Sequence, residues 1–149
     1  MSISTSHIVM FREVDAAGIV FFARYFEISH GALEALLEEM DISLAWQFES
    51  APWIMPLVHV ESDYSRPIRL GEVITVIPRV VRVGKTSLHL AFDLTGAQGD
   101  LRARVQHIHA FVDRKEHIPC PVPKVFLAGL QKVELLDAQG KNAALKDAP

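Results

Sequence analysis

A single cysteine stands in the 149 residues. One thiol excludes an internal disulfide and a cysteine-rich zinc site, and the proline-rich setting of Cys120, Pro119-Cys120-Pro121-Val122-Pro123, argues against a nucleophilic role. Long apolar runs are missing too. Arg24, Glu27, His30 and Glu34 interrupt the most apolar stretch, so nothing approaches the ~20 residues that span a bilayer. The opening MSISTSHIVMF lacks a basic segment, an apolar core and a small-residue cleavage site, so no secretory signal is visible. These absences predict a soluble chain with a cytoplasmic location and no membrane partner.

Several catalytic signatures are absent as well. The chain contains no GxSxG, HExxH or GxGxxG. Gly84-Lys85-Thr86-Ser87 imitates the end of a phosphate-binding loop, but Arg79 stands where the first glycine belongs, and a strand comes next where that motif needs a helix. Dense Lys/Arg blocks with interleaved aromatics are also lacking, which argues against a nucleic-acid partner. Charge is nevertheless uneven: residues 1–65 carry two bases and ten acids, and residues 66–104 carry seven bases and three acids. A local excess of this size suits the anionic head group of a small phosphorylated ligand.

The residues that are present are organised around Glu13–Met40. Phe22, Tyr25, Phe26, Ser29, Leu33, Leu36, Leu37 and Met40 recur at the three-and-four spacing of one helical face. The pattern predicts a helix from Phe21 to Met40, about 30 Å long at 1.5 Å per residue. Before it, residues 7–14 read as a strand leading into an Asp15-Ala16-Ala17-Gly18 turn. After it comes a connector in which Trp46, Phe48 and Trp53 serve as lid or core residues. Strands are predicted over residues 56–64, 72–83, 86–94 and 101–114, with Pro78 at an edge or bulge, and a short last helix over residues 124–131. The expectation is an α+β domain of residues 1–132, an antiparallel sheet wrapped around one helix, followed by a flexible tail of residues 133–149. Open sheet edges predict pairing with further copies, as a dimer or a dimer of dimers.

Two histidine groups need weighing. His107 and His109 share a strand face and could pair on a metal, but with no third ligand evident they read as interface or surface histidines, and no metal is expected. His59, Glu61 and Asp63 also share a face, either as exposed polar residues or, for His59, as pocket lining. Asp15 differs because a small-residue turn and a long helix stand directly after it. The first N–H groups of a helix are unpaired and favour negative charge, and Ala16, Ala17 and Gly18 let a substrate approach closely. On spacing alone Asp15 is a turn or capping residue.

The run Val14-Asp15-Ala16-Ala17-Gly18-Ile19-Val20-Phe21-Phe22-Ala23-Arg24-Tyr25 resembles the signature of the hotdog-fold acyl-CoA thioesterases of the 4-hydroxybenzoyl-CoA thioesterase family. Weaker likeness extends over residues 7–131 through PLVHVESDY and the turn around Gly84-Lys85-Thr86. The resemblance implies a hotdog fold with Asp15 as the catalytic carboxylate and the Phe22 backbone N–H as the donor to the thioester carbonyl. It implies Lys85 as a coenzyme A phosphate contact with Thr86 beside it, while Arg66 and Arg82 are phosphate candidates from charge alone. Gly18, Phe21 and Tyr25, within the signature, complete the substrate-binding set with His59. Coenzyme A then enters only as part of the substrate, no cofactor is implied, and the site lies between subunits of a homo-oligomer. Phe21-Phe22 replaces the Tyr-His of the short-chain subgroup, which favours an aromatic acyl group, 1,4-dihydroxy-2-naphthoyl ahead of 4-hydroxybenzoyl. A short-chain acyl-CoA thioesterase and a non-catalytic acyl-CoA-binding module are the alternatives. Retention of Asp15 favours an enzyme.

Overall fold

The apolar stripe makes its helix, but a shorter one than its periodicity predicts. In the computed structural model, which describes residues 3–141, helix α1 runs Arg24–Glu39 and buries Tyr25, Ile28, Ser29, Ala32, Leu33, Leu36 and Leu37. Residues 21–23 form a tighter turn instead, closed by the Arg24 N–H on the Phe21 carbonyl at 2.9 Å. Phe22 therefore lies outside the regular helix, and its ring is exposed.

The expected strand over residues 7–14 is likewise cut short. Strand β1 is Thr5–Ile8, and Phe11–Glu13 forms one 3-10 turn. Glu13 explains the break. Its buried carboxylate accepts the Met10 N–H at 2.7 Å and lies 2.9 and 3.0 Å from His7 Nε2. A side chain held this way pulls the backbone out of the ladder.

The connector after α1 contains a helix that its mixed composition concealed, α2, Leu44–Glu49. Ser43 caps it by accepting the Trp46 N–H, and the Arg114 guanidinium holds the carbonyls of Gln47, Phe48 and Ala51 at its far end. The later strands are β2 (Trp53–Ile54), β3 (Leu57–Tyr64), β4 (Val73–Val83), β5 (Ser87–Thr95), β6 (Leu101–Ala110) and β7 (Val112–Asp113). Helix α3, Lys124–Lys132, is the last element of regular structure among the described residues.

The main sheet has the order β1-β4-β5-β6-β3, all antiparallel, and β2 pairs β7 apart from it. Pro78 lies where β4 runs past the end of β1, whose pairing covers only Val73–Val76. There the missing N–H costs no ladder bond. Trp53, Phe111 and Phe126 meet edge to face with centroids 5.3 to 6.1 Å apart and join α3 to the core. Leu136 is buried in the same core, so packing continues past residue 132; residues 142–149, part of the expected tail, lie outside the described residues.

Candidate active site

The Asp15 turn is the tip of a tight hairpin. The Asp15 N–H donates to the Ile19 carbonyl at 2.9 Å, the Gly18 N–H to the Asp15 carbonyl at 3.0 Å, and the Phe21 N–H to the Glu13 carbonyl at 2.9 Å. Gly18 has φ +74°, a left-handed conformation in which a side chain is strained. The hairpin is clamped from outside by Val20 N–H to the Ile68 carbonyl at 2.8 Å and Leu70 N–H to the Gly18 carbonyl at 3.1 Å. Asp15 itself is exposed, with Oδ1 accepting the Ala17 N–H at 2.8 Å. That bond uses one lone pair of a carboxylate that has several. The other oxygen is open to a ligand.

Asp15 lines a cavity of about 430 Å³ together with Phe21, Phe22, Tyr25, Tyr64 and Arg66. Among the described residues no hydrogen-bond partner meets the Phe22 N–H. The cavity thus holds a carboxylate and, at the turn that enters α1, an unpaired donor with the helix dipole behind it. Tyr64 Oη donates to the Phe22 carbonyl at 3.2 Å and so fixes the peptide unit that comes after Phe22. Its ring meets that of Tyr25 edge to face at 4.7 Å. Burial, and then the neighbouring Tyr64, push the Tyr25 phenol above its ordinary pKa, so it stays neutral. The far wall, residues 65–67, is held by Arg102: Nη1 donates to the Pro67 carbonyl at 2.9 Å, and its own carbonyl accepts the Ser65 and Arg66 N–H groups at 2.8 and 3.1 Å. Glu72 Oε1 at 2.8 Å and Asp100 Oδ2 at 2.5 Å grip the same guanidinium.

The sequence matches the thioesterase-like superfamily over residues 9–130, most of the chain. The chain belongs to that family. It is 28% identical to a 1,4-dihydroxy-2-naphthoyl-CoA hydrolase of Rippkaea orientalis over 82% of this chain and 90% of that one. With a protein of the same name from Trichodesmium erythraeum the identity is 30%, over 72% and 81% of the two chains. The fold is also that of a 1,4-dihydroxy-2-naphthoyl-CoA thioesterase from Synechocystis, with a TM-score of 0.78 at 22% identity over 89% of this chain and 96% of that chain. The protein is a hotdog-fold acyl-CoA thioesterase.

Not every residue expected in this thioesterase's site gathers there. Asp15, Phe21, Phe22, Tyr25 and Arg66 share the cavity, and Gly18 turns the hairpin beside it. His59 does not line it; it is exposed on the outer face of β3, 3.2 Å from Glu61. Arg82, Lys85 and Thr86 lie at the opposite end of β4. From Val73, beside the Asp15 hairpin, to Val83 is about 33 Å at 3.3 Å per residue. One chain cannot bring Lys85 to its own Asp15.

The basic middle third is also less free than its count suggests. Arg79 and Arg104 both pair with Asp93, at 2.9 and 2.6 Å, and Arg102 is taken by Glu72 and Asp100. His107 and His109 are not surface residues but face the core, 1% and 4% exposed. Burial, with His109 and His30 nearby, pulls the His107 pKa down to about 4, and its Nε2 meets Ser29 Oγ at 2.8 Å. Among the described residues no group of three His, Cys, Asp or Glu is placed to hold a metal, and no helix is long and apolar enough to cross a membrane.

Reading residues one by one missed Tyr64 and Arg102. Strand alternation carries a signal for the first: His59, Glu61 and Asp63 occupy one face of β3, so Tyr64 shares the other with Val60 and Ser62. For Arg102 only Asp100 is near in sequence; its contacts to Pro67 and Glu72, which place it against the far wall, reach 35 and 30 residues back and leave no local signal.

Proposed function

We propose that this thioesterase hydrolyses an aromatic acyl-CoA, 1,4-dihydroxy-2-naphthoyl-CoA ahead of 4-hydroxybenzoyl-CoA, with Asp15 as the catalytic carboxylate and the Phe22 N–H as oxyanion donor. The observation that carries the reading is the meeting of an exposed carboxylate and an unpaired helix-entry N–H in one aromatic-walled cavity. A thioester carbonyl directed at the Phe22 N–H gains stabilisation as negative charge builds on its oxygen. Asp15 either takes a proton from an attacking water or attacks the carbonyl carbon itself. By either route the C–S bond breaks, the sulfur leaves as the thiol of coenzyme A after taking up a proton, and water supplies the new oxygen of the free acid. The curated relatives, named for the dihydroxynaphthoyl substrate, support that choice of acyl group.

The active assembly contains at least two copies, with Lys85 of one serving a coenzyme A phosphate of a substrate held at Asp15 of another. Strand β3 supports this. Among the described residues it pairs only with β6, leaving an eight-residue edge that carries the exposed apolar side chains of Leu57, Val58 and Val60, and such an edge is a template for another strand.

Asp15→Asn tests the chemistry. The substitution keeps shape and hydrogen bonding but removes basicity, so kcat should fall by at least ~100-fold, the lower end of general acid–base contributions, while KM changes little. Turnover near the parental rate would reduce Asp15 to a turn residue and remove the mechanism.

A further inference from the structure

A carboxylate that the proposed reaction does not touch is buried beside the one it uses. Glu13, 6% exposed, is the only buried carboxylate among the described residues. Its Oε2 accepts the Met10 N–H at 2.7 Å, and His7 Nε2 lies 2.9 and 3.0 Å from its two oxygens. A carboxylate only accepts, so Nε2 carries a proton. His7 stands in β1 opposite Ile74 of β4, and the pair therefore ties the main sheet to the chain that leads into Asp15.

Stability does not explain this pair. Burying a charge is costly, and apolar side chains of similar size in place of a buried ion pair are often neutral or stabilising. Nor is the pair needed to fill the core. It closes one wall of a cavity of about 390 Å³ between β1 and α1, lined also by Arg12, Glu27 and Gly31.

The backbone around Glu13 supplies another reason. Its carbonyl accepts the Phe21 N–H at 2.9 Å, and the Phe21 carbonyl accepts the Arg24 N–H at 2.9 Å. Phe21 is thus held on both sides, and the peptide unit that starts at its carbonyl carries the Phe22 N–H. In the other direction Asp15 stands two residues beyond Glu13 on the same hairpin, whose next rungs are Val14 with Val20 and Asp15 with Ile19. The Asp15 carboxylate and the Phe22 N–H diverge from one rung, Glu13 against Phe21. The Glu13 side chain pins that rung to β1.

We propose that Glu13, clamped by His7, is a positioning residue that sets the Asp15 carboxylate and the Phe22 N–H at their working separation. The proposal rests on the catalytic reading above and names what aims its two groups. A misplacement of about 1 Å can cost about 100-fold in rate. The loss falls on kcat, because Lys85, proposed above for coenzyme A, lies at the far end of β4.

The double variant His7→Leu/Glu13→Leu replaces the pair with apolar side chains. Its Tm should stay near the parent's or exceed it, KM should change little, and kcat should fall by about 10- to 100-fold. Glu13→Gln keeps an acceptor for the Met10 N–H and offers an amide N–H to His7, whose ring can take the other tautomer, so it should recover most of that kcat. A parental kcat in the apolar variant overturns the proposal. A Glu13→Gln enzyme as slow as the apolar one also overturns it, because the carboxylate would then act through its charge. Should the double variant fail to fold, His7→Phe loosens the clamp alone: kcat should again fall with KM held, and a parental kcat is the refuting result.

Two further measurements separate the clamp from the catalytic reading. Hydrogen exchange over residues 13–22 should quicken in the apolar variant while β4 and β5 exchange as in the parent, and unchanged protection over residues 13–22 overturns the proposal. With Asp15→Asn already in place, the apolar pair should cost a smaller factor in kcat than it costs the parent, since one of the two aimed groups is already disarmed. An equal factor in both backgrounds refutes the clamp. A parental rate in Asp15→Asn alone refutes the catalytic reading instead, and the exchange measurement still decides whether Glu13 holds the hairpin.

Discussion

Tyr64 reaches from the sheet edge to the Phe22 carbonyl, and a peptide unit held from one side presents its neighbouring N–H groups at a fixed angle. Tyr64→Phe removes that bond and keeps the ring contact with Tyr25. If holding the Phe22 carbonyl also fixes the Phe22 N–H that serves the oxyanion, kcat should drop about 3- to 10-fold, the worth of a hydrogen bond of roughly 0.5–1.5 kcal/mol, with KM nearly constant. Equal kcat values for the two enzymes would separate Tyr64 from the chemistry. Arg102 acts on the opposite wall and leaves a pH signature. Its guanidinium, followed by the Arg69 N–H, holds the Glu72 carboxyl below the usual carboxylate range. A lowered folded pKa contributes stability that is complete above the unfolded value, about 4.3, and is lost as pH falls through the folded one. Urea midpoints measured from pH 6 to pH 3 should therefore fall with acid in the parent and fall less steeply in Arg102→Met. Identical slopes would mean that the pair carries no linkage.

Among the elements, α3 approaches α1 closely at Gly129. A Cβ added at Gly129 would lie 2.8 Å from Met40 Cβ and 3.1 Å from its Cγ, so α3 sits on the end of α1 with no room for a methyl group. Alanine is better than glycine in a helix by about 1 kcal/mol, yet overpacking costs about 1–3 kcal/mol. Gly129→Ala should be destabilised by about 1 kcal/mol net in denaturant, and a stabilised variant would show that the two elements can move apart. Helix α2 depends on distant residues in another way. Its carbonyls are satisfied by Arg114 from beyond β7, which is why the segment around Trp46 and Phe48 looks like an irregular connector when read locally. Trp53, by contrast, enters the core as an aromatic after a proline-bounded turn would suggest, while Phe48 stays outside.

For the whole molecule, the separation of Lys85 from Asp15 makes assembly a requirement of the proposed activity. Val60 lies near the middle of β3, on its helix-facing side, where a two-fold axis relating paired strands would pass. Val60→Lys places like charges face to face across that axis. Sedimentation should shift toward the single chain, and turnover should fall with it. A variant that assembles and turns over like the parent would remove β3 as the shared edge.

Local pattern alone determined much of this protein. The period of 3.6 in Tyr25–Leu37 and the alternation in Leu88–Leu94 specify a helix and a strand because each must bury one face, and the Asp15-Ala16-Ala17-Gly18 turn is legible because small and left-handed residues are needed there. The tertiary structure alone decided which side chains face one another. Glu13 became a buried anchor because His7 and Met10 fold back on it, Tyr64 became a wall of the Asp15 cavity and Arg102 the support of the wall opposite through pairings 42 and 35 residues long, and His107 and His109 went inward because β6 has a strand on either side and is covered by α1. Spacing along a strand reports which residues share a face. Whether that face meets water, a helix or a second copy depends on contacts between segments remote in sequence, and those are set by the packing of the whole chain.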